Sequence, residues 1–157
     1  MRLLGKTTIS PVFFYTGKIS GYLIWLLLLF KPPCTLERHS IYEQITGYIL
    51  CALLMTGLIL VAVSFVNLGH STSFGLPDEK TVFKKKGLYK VSRNPMYVGF
   101  NLLTIASMIY FGGIIVFHLG TYSIVIYHFI ILGEEKFLET RFGKDYTNYK
   151  NKVRRYI

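Results

Sequence analysis

From Met96 to Gly133 the chain carries no Asp, Glu, Lys or Arg. That stretch is too long for one bilayer crossing of about 20 residues and long enough for two short, tilted ones. Gly112-Gly113 is the preferred bend, because glycine adopts backbone conformations closed to other residues, and His118 to Thr121 is the second choice. Two more apolar runs come earlier: Val12 to Phe30, interrupted only by Lys18, and Ile45 to Leu68, with no charge at all. Half of the 157 residues are hydrophobic (52%), yet the formal net charge is +10. A small soluble protein struggles to present both, whereas segregation into spans and polar connectors reconciles them. The expected fold is all-α: an integral membrane protein of about four transmembrane helices in a single domain, residues 1–157.

Lysine and arginine are unevenly distributed. Six fall between Leu68 and Met96 (Lys80, Lys84, Lys85, Lys86, Lys90, Arg93) and seven follow Gly133. The positive-inside rule puts both groups, and hence both termini and the C-terminal helix, on the cytoplasmic side. This topology signal, with attraction to anionic membrane lipid, accounts for the basic excess without nucleic acid. Arg2 and Lys6 precede an apolar run, but no small-residue cleavage pattern follows, so the first segment is expected to be retained. Cys34 falls in a loop and Cys51 inside a span, so neither a disulfide framework nor a metal site is expected.

Soluble-enzyme motifs are missing: no G-x-G-x-x-G, no phosphate-binding loop, no H-E-x-x-H and no G-x-S-x-G. The chemistry-bearing residues cluster instead where polar segments meet spans. In "GLYKVSRNPMYVGF", Gly87 to Phe100, Asn94 suits an N-cap and Pro95 the first turn of a helix. A third span therefore starts at Pro95, and Arg93 adds a forked cation beside its unpaired amide groups, which together suit a carboxylate or phosphate. Tyr97 reads as an interfacial anchor or a ligand contact, and Gly99 as a point of close approach for a helix or a ligand.

The other boundary is "GEEKFLETRFGKDYTNYKNKVRRYI". Glu134 and Glu135 follow the last apolar residues directly, and paired carboxylates there need water or a partner. Either they form a polar stop to the span, with Glu135 and Glu139 on a wet face, or they meet Arg93 or a cationic ligand. His128 lies seven residues before Glu135, on the same side of a helix. Tyr146 and Tyr149 share a face and suit a helix lying on the bilayer.

Together, the two segments resemble the isoprenylcysteine carboxyl methyltransferase family and related integral-membrane phospholipid and small-thiol methyltransferases. The family pattern is matched by Gly87, Tyr89, Arg93, Asn94, Pro95, Tyr97 and Gly99, then by Glu134, Glu135, Leu138, Phe142, Gly143, Tyr146 and Tyr149. The resemblance covers residues 87–157; the first two spans match only in being hydrophobic. It implies an S-adenosyl-L-methionine-dependent methyltransferase acting on a lipid-like acceptor, without a metal. By analogy the cofactor contacts are Tyr89, Arg93, Asn94, Pro95, Tyr97, Gly99, Glu134 and Glu135, and Arg93 and Glu135 are the residues assigned to catalysis. Many members carry histidine at the position of Asn94, and asparagine cannot take up a proton there.

The residues suit that cofactor on chemical grounds too: Arg93 for its carboxylate, a glutamate for its ammonium or ribose, and tyrosine faces for its sulfonium. A carboxylate acceptor needs no general base, whereas an amine, thiol or hydroxyl would lose its proton to Glu135 or His128. One rival is an NADPH-dependent sterol-type reductase with a similar Arg-His-Pro-x-Tyr stretch, although this chain has Met96 and Gly99 where those enzymes tend to place asparagine and an acidic residue. The other is a non-enzymatic membrane subunit whose basic segments dock a partner.

Overall fold

A computed structural model describes residues 7–30, 40–68 and 85–157. Among these the protein is all helical: α1 (Pro11–Phe30), α2 (Ile41–Leu68), a single 3-10 turn (Gly87–Lys90), α3 (Pro95–Phe111), α4 (Ile114–Phe142) and α5 (Lys144–Lys150). Three of these helices, α1, α2 and α4, are long and apolar enough to cross a membrane, and α3 is a shorter apolar helix beside them. Outward-facing Ile45, Ile49, Leu58, Ile59, Val66 and Phe129 give the bundle an apolar girdle suited to lipid. The chain is a multi-pass membrane protein.

Pro95 opens α3, as its fixed φ and missing N–H dictate. The chain turns between α3 and α4 at Gly112 and Gly113, both at positive φ (57° and 75°), so the bend lies at the first-choice position. The two helices it joins are unequal rather than both short. At 29 residues α4 is about 44 Å long against a hydrocarbon core of about 30 Å, so its last turns, with Glu134 to Phe142, stand clear of the apolar layer.

Helices α2 and α3 cross at Gly57 and Gly99, where a Cβ on Gly99 would lie 2.7 Å from the carbonyl oxygen of Gly57. On the other side α1 lies against α4, with Gly17 facing Ile126 and Gly21 facing Ser123. Small residues serve membrane helices this way because backbone proximity replaces the hydrophobic driving force lost in lipid. Gly99→Ala is therefore expected to destabilise the bundle by about 1–3 kcal/mol. Gly120→Ala meets the flexible side chain of Met108 and, at 3.3 Å, Thr104 Cγ2, with no backbone atom among its near contacts, and should be milder. Denaturation of the two variants in detergent gives their order, and equal losses would refute a rigid backbone crossing.

The core joins Phe14 of α1 to Ile126, Tyr127 and Ile130 of α4, with Trp25, Tyr97 and Phe100 packed around it. Trp25 stacks on Phe100 and Phe100 on Tyr127, with ring centroids 5.2 and 5.8 Å apart. The Trp25 indole also donates to Thr104 Oγ1 at 3.1 Å. One expectation is corrected here: Cys51 is disulfide-bonded, so its placement within a span does not keep its thiol from pairing. Residues 1–6, at the start of the segment expected to be retained, and the basic residues Lys80 and Lys84 lie outside the described residues.

Candidate functional site

Two segments far apart in sequence close on each other where α3 begins and α4 emerges. Arg93 Nε and Nη2 donate to the two oxygens of Glu135 at 3.0 and 3.3 Å. Its Nη1 donates to the carbonyls of Lys150 and Val153 at 2.9 and 2.7 Å. Asn94 Nδ2 donates to Glu135 Oε1 (3.1 Å) and to the Arg155 carbonyl (3.3 Å). From the far side Arg155 sends Nε and Nη2 to Glu135 Oε2 at 3.1 and 3.0 Å. Glu135 thus sits between two guanidiniums, its side chain 5% exposed and that of Arg93 8%. Burying this carboxylate is tolerable only because it is fully paired.

The backbone reinforces this contact. Arg93 N–H donates to the Arg154 carbonyl at 2.9 Å, and Ser92 and Arg154 form a parallel bridge. Ser92 Oγ donates to the Arg155 carbonyl at 3.2 Å and accepts from Asn94 N–H at 3.1 Å. Asn94 stands at the N-cap position of α3, but its side chain makes no cap bond and reaches across to Glu135 and the C-terminal segment.

The C-terminal segment differs from the expected surface helix. Helix α5 is only seven residues long, and residues 151–157 lie back over residues 89–94. Tyr146 and Tyr149 are buried rather than laid on lipid, and the Tyr149 hydroxyl donates to the Tyr89 carbonyl. Burial pushes the Tyr149 phenol up to about 12, so it remains a donor through the neutral range. Burial also raises the Tyr89 and Tyr146 phenols, and the hydrogen bond to Glu135 raises the Arg155 guanidinium. Of the two glutamates expected on a wet face, Glu135 is covered by Arg93 and Arg155, whereas Glu139 pairs with Lys150 at 2.6 Å with its side chain 37% exposed.

Glu134, one residue away, points elsewhere because adjacent helical positions diverge by about 100°. The Tyr97 hydroxyl donates to its Oε1 at 2.7 Å, and Tyr89 and Lys18 lie within its electrostatic reach. All four of these residues are half-buried, whereas Ser92, Asn94 and Glu135 are buried. Gly99 lies away from both carboxylates, at the α2–α3 crossing. Pro95 is buried at the start of α3.

Beside the Glu135 cluster a cleft of about 460 Å³ opens between α3 and α4, lined by Asn101, Ile124, Val125, His128, Phe129 and Tyr156. It is mostly apolar, but Asn101 Oδ1 is buried in its wall with no hydrogen-bond partner among the described residues. His128 Nδ1 shares a hydrogen bond of 2.6 Å with the Tyr156 hydroxyl. Among the described residues no group of three His, Cys, Asp or Glu side chains converges to hold a metal ion. Arg155, Tyr156 and Ser92 escape sequence reasoning, since a terminal "RRY" reads locally as a membrane-surface anchor.

Residues 43–145 match the phospholipid methyltransferase family. Over 133 residues the chain is 29% identical to the protein-S-isoprenylcysteine O-methyltransferase of Saccharomyces cerevisiae, an alignment covering 78% of this chain and 53% of that protein. The chain therefore spans about half the length of the curated relative it matches.

Proposed function

We propose, for a chain that belongs to the phospholipid methyltransferase family, transfer of a methyl group from S-adenosylmethionine to an amphipathic, membrane-embedded acceptor. The observation that carries this reading is the Glu134–Tyr97–Tyr89 patch where α3 begins and α4 emerges, in a bundle that also holds an apolar cleft between α3 and α4. The cofactor would supply an electrophilic methyl on a sulfonium. The residues fit such a group: Glu134 offers a carboxylate to an ammonium or to ribose hydroxyls, and Tyr89 and Tyr97 offer aromatic faces to a cation.

Arg93, Asn94 and Glu135 act in this reading as the clamp that holds residues 150–155 over the site. Alignment and exclusion of water carry most of the rate in a displacement, so a closed cover contributes directly. The cleft would take the apolar tail of the acceptor, and Asn101 its polar head. The name of the yeast relative favours a prenylated cysteine carboxylate, which needs no base. For an amine or thiol acceptor, His128 is the group placed to hold the departing proton at Nε2, with Nδ1 fixed by Tyr156. The basic residues around 85–93 and 136–155 favour the cytoplasmic face for the site and both termini.

Calorimetric titration of S-adenosylhomocysteine into the detergent-purified protein tests the cofactor. Micromolar binding, weakened about tenfold or more by Glu134→Gln, is the expected result. Heat from NADPH with none from S-adenosylhomocysteine would overturn the reading in favour of a reductase. Radiolabelled methyl transfer to a prenylated cysteine or to phosphatidylethanolamine then distinguishes the acceptor classes.

A further inference from the structure

Lys18 is the only charged residue between Pro11 and Phe30. A lysine inside a span is costly unless it has a task or a partner. It lies one turn after Phe14 on the side of α1 that faces α4, and its ammonium sits 4.0 Å from the centroid of the Phe14 ring. The side chain thus runs back toward the start of α1. Gly17, with no room for a Cβ against Ile126, and Gly21 against Ser123 hold α1 close to α4, and Gly133 meets Thr8 further along. The two helices therefore run antiparallel, and the Lys18 ammonium comes within electrostatic reach of Glu134.

We infer that Lys18 and Glu134 together form a receptor for a zwitterionic α-amino-acid end, Lys18 taking its carboxylate and Glu134 its ammonium. This rests on the methyl-transfer reading above, and the zwitterion is then the amino-acid end of S-adenosylmethionine. Charge balance selects this ligand class. An ammonium and a carboxylate of the protein within reach of each other are neutral together, and a zwitterion placed against them leaves every charge matched. A ligand with a single charge leaves one protein charge unmatched in a poorly solvated place, which is strongly unfavourable.

The alternative cation for a carboxylate is Arg93, but four of its five N–H groups already bond Glu135 and the carbonyls of Lys150 and Val153. Glu135 is likewise enclosed by Arg93, Asn94 and Arg155. Glu134 instead receives a hydrogen bond from Tyr97 alone among the described residues, and it shares a half-buried surface with Lys18, Tyr89 and Tyr97. The first helix then supplies a ligand contact as well as a wall.

The test compares two nucleosides by calorimetry on the full chain in detergent. S-adenosylhomocysteine has the amino-acid end; 5′-methylthioadenosine has the same adenine, ribose and thioether without it. Lys18→Met is expected to weaken S-adenosylhomocysteine by roughly 10- to 100-fold, the size of one charge-assisted hydrogen bond, and to leave methylthioadenosine within about twofold. Lys18→Arg should restore most of the loss. Equal weakening of both ligands, or unchanged S-adenosylhomocysteine binding in Lys18→Met, overturns the inference and leaves the methyl-transfer reading intact. Failure of both nucleosides to bind the unaltered protein removes that reading itself, and this inference with it.

Discussion

Glu135→Ala is expected to release residues 150–157 from the helix ends and to lower the stability of the folded protein by about 3–5 kcal/mol, the range for breaking one side of a buried ion pair. Five hydrogen bonds converge on this carboxylate from Arg93, Asn94 and Arg155. Without it two guanidiniums face each other across a space that water barely reaches. The penalty falls unevenly. The Arg155 side chain is 32% exposed and can turn outward, whereas Arg93 is enclosed and tied to two carbonyls. Arg155→Ala should accordingly be much milder, about 1 kcal/mol, because Glu135 keeps Arg93 and Asn94. Denaturant titration in detergent measures both losses, and trypsin reports release of the segment through cleavage after Lys152, Arg154 or Arg155. A Glu135→Ala protein within about 1 kcal/mol of the parent and equally resistant to trypsin would show that the cluster does not hold the segment down.

Features legible in the sequence are those fixed by local chemistry. Pro95 begins α3 because proline suits a first helical turn, and the chain bends at Gly112-Gly113 because only glycine takes those angles readily. The long apolar runs give the spans in the same way. The pairing of residues 89–94 with residues 149–155 is different in kind. It joins groups about sixty positions apart, and nothing in "NKVRRYI" distinguishes a segment that folds back from one that rests on lipid. Periodicity placed Tyr146 and Tyr149 correctly on one face, yet it could not say that this face would be covered by Tyr89 and Arg93. The two glutamates show the same limit. Sequence ties them together as a pair, while helical geometry turns them to opposite tasks, Glu135 toward two arginines and Glu134 toward Tyr97 and α1. A lysine met early in the chain as a blemish in an apolar span acquires a meaning only when α1 is seen against α4.

Ending the chain at Lys150 separates the cover from the bundle. None of the removed residues belongs to the core around Phe14, Ile126, Tyr127 and Ile130, or to the Gly57–Gly99 crossing. Glu135 keeps Arg93 and Asn94, and Arg93 keeps the Lys150 carbonyl, so no buried charge is left alone and the thermal midpoint should fall by only a few degrees. Methyl transfer should nevertheless fall by about 100-fold or more. The cleft loses Tyr156 from its wall, His128 loses its partner, and water gains access to a reaction that depends on alignment and dryness. Turnover within about threefold of the parent would show that the segment is no part of the working site. The decisive comparison combines the two changes. In the shortened chain Arg155 is already gone and water can reach Arg93, so Glu135→Ala should cost less than half of what it costs in the full chain. Losses that simply add, to within about 0.5 kcal/mol, would mean that Glu135 and the C-terminal segment do not share one network. A large shortfall would establish that the carboxylate stabilises the protein through that segment.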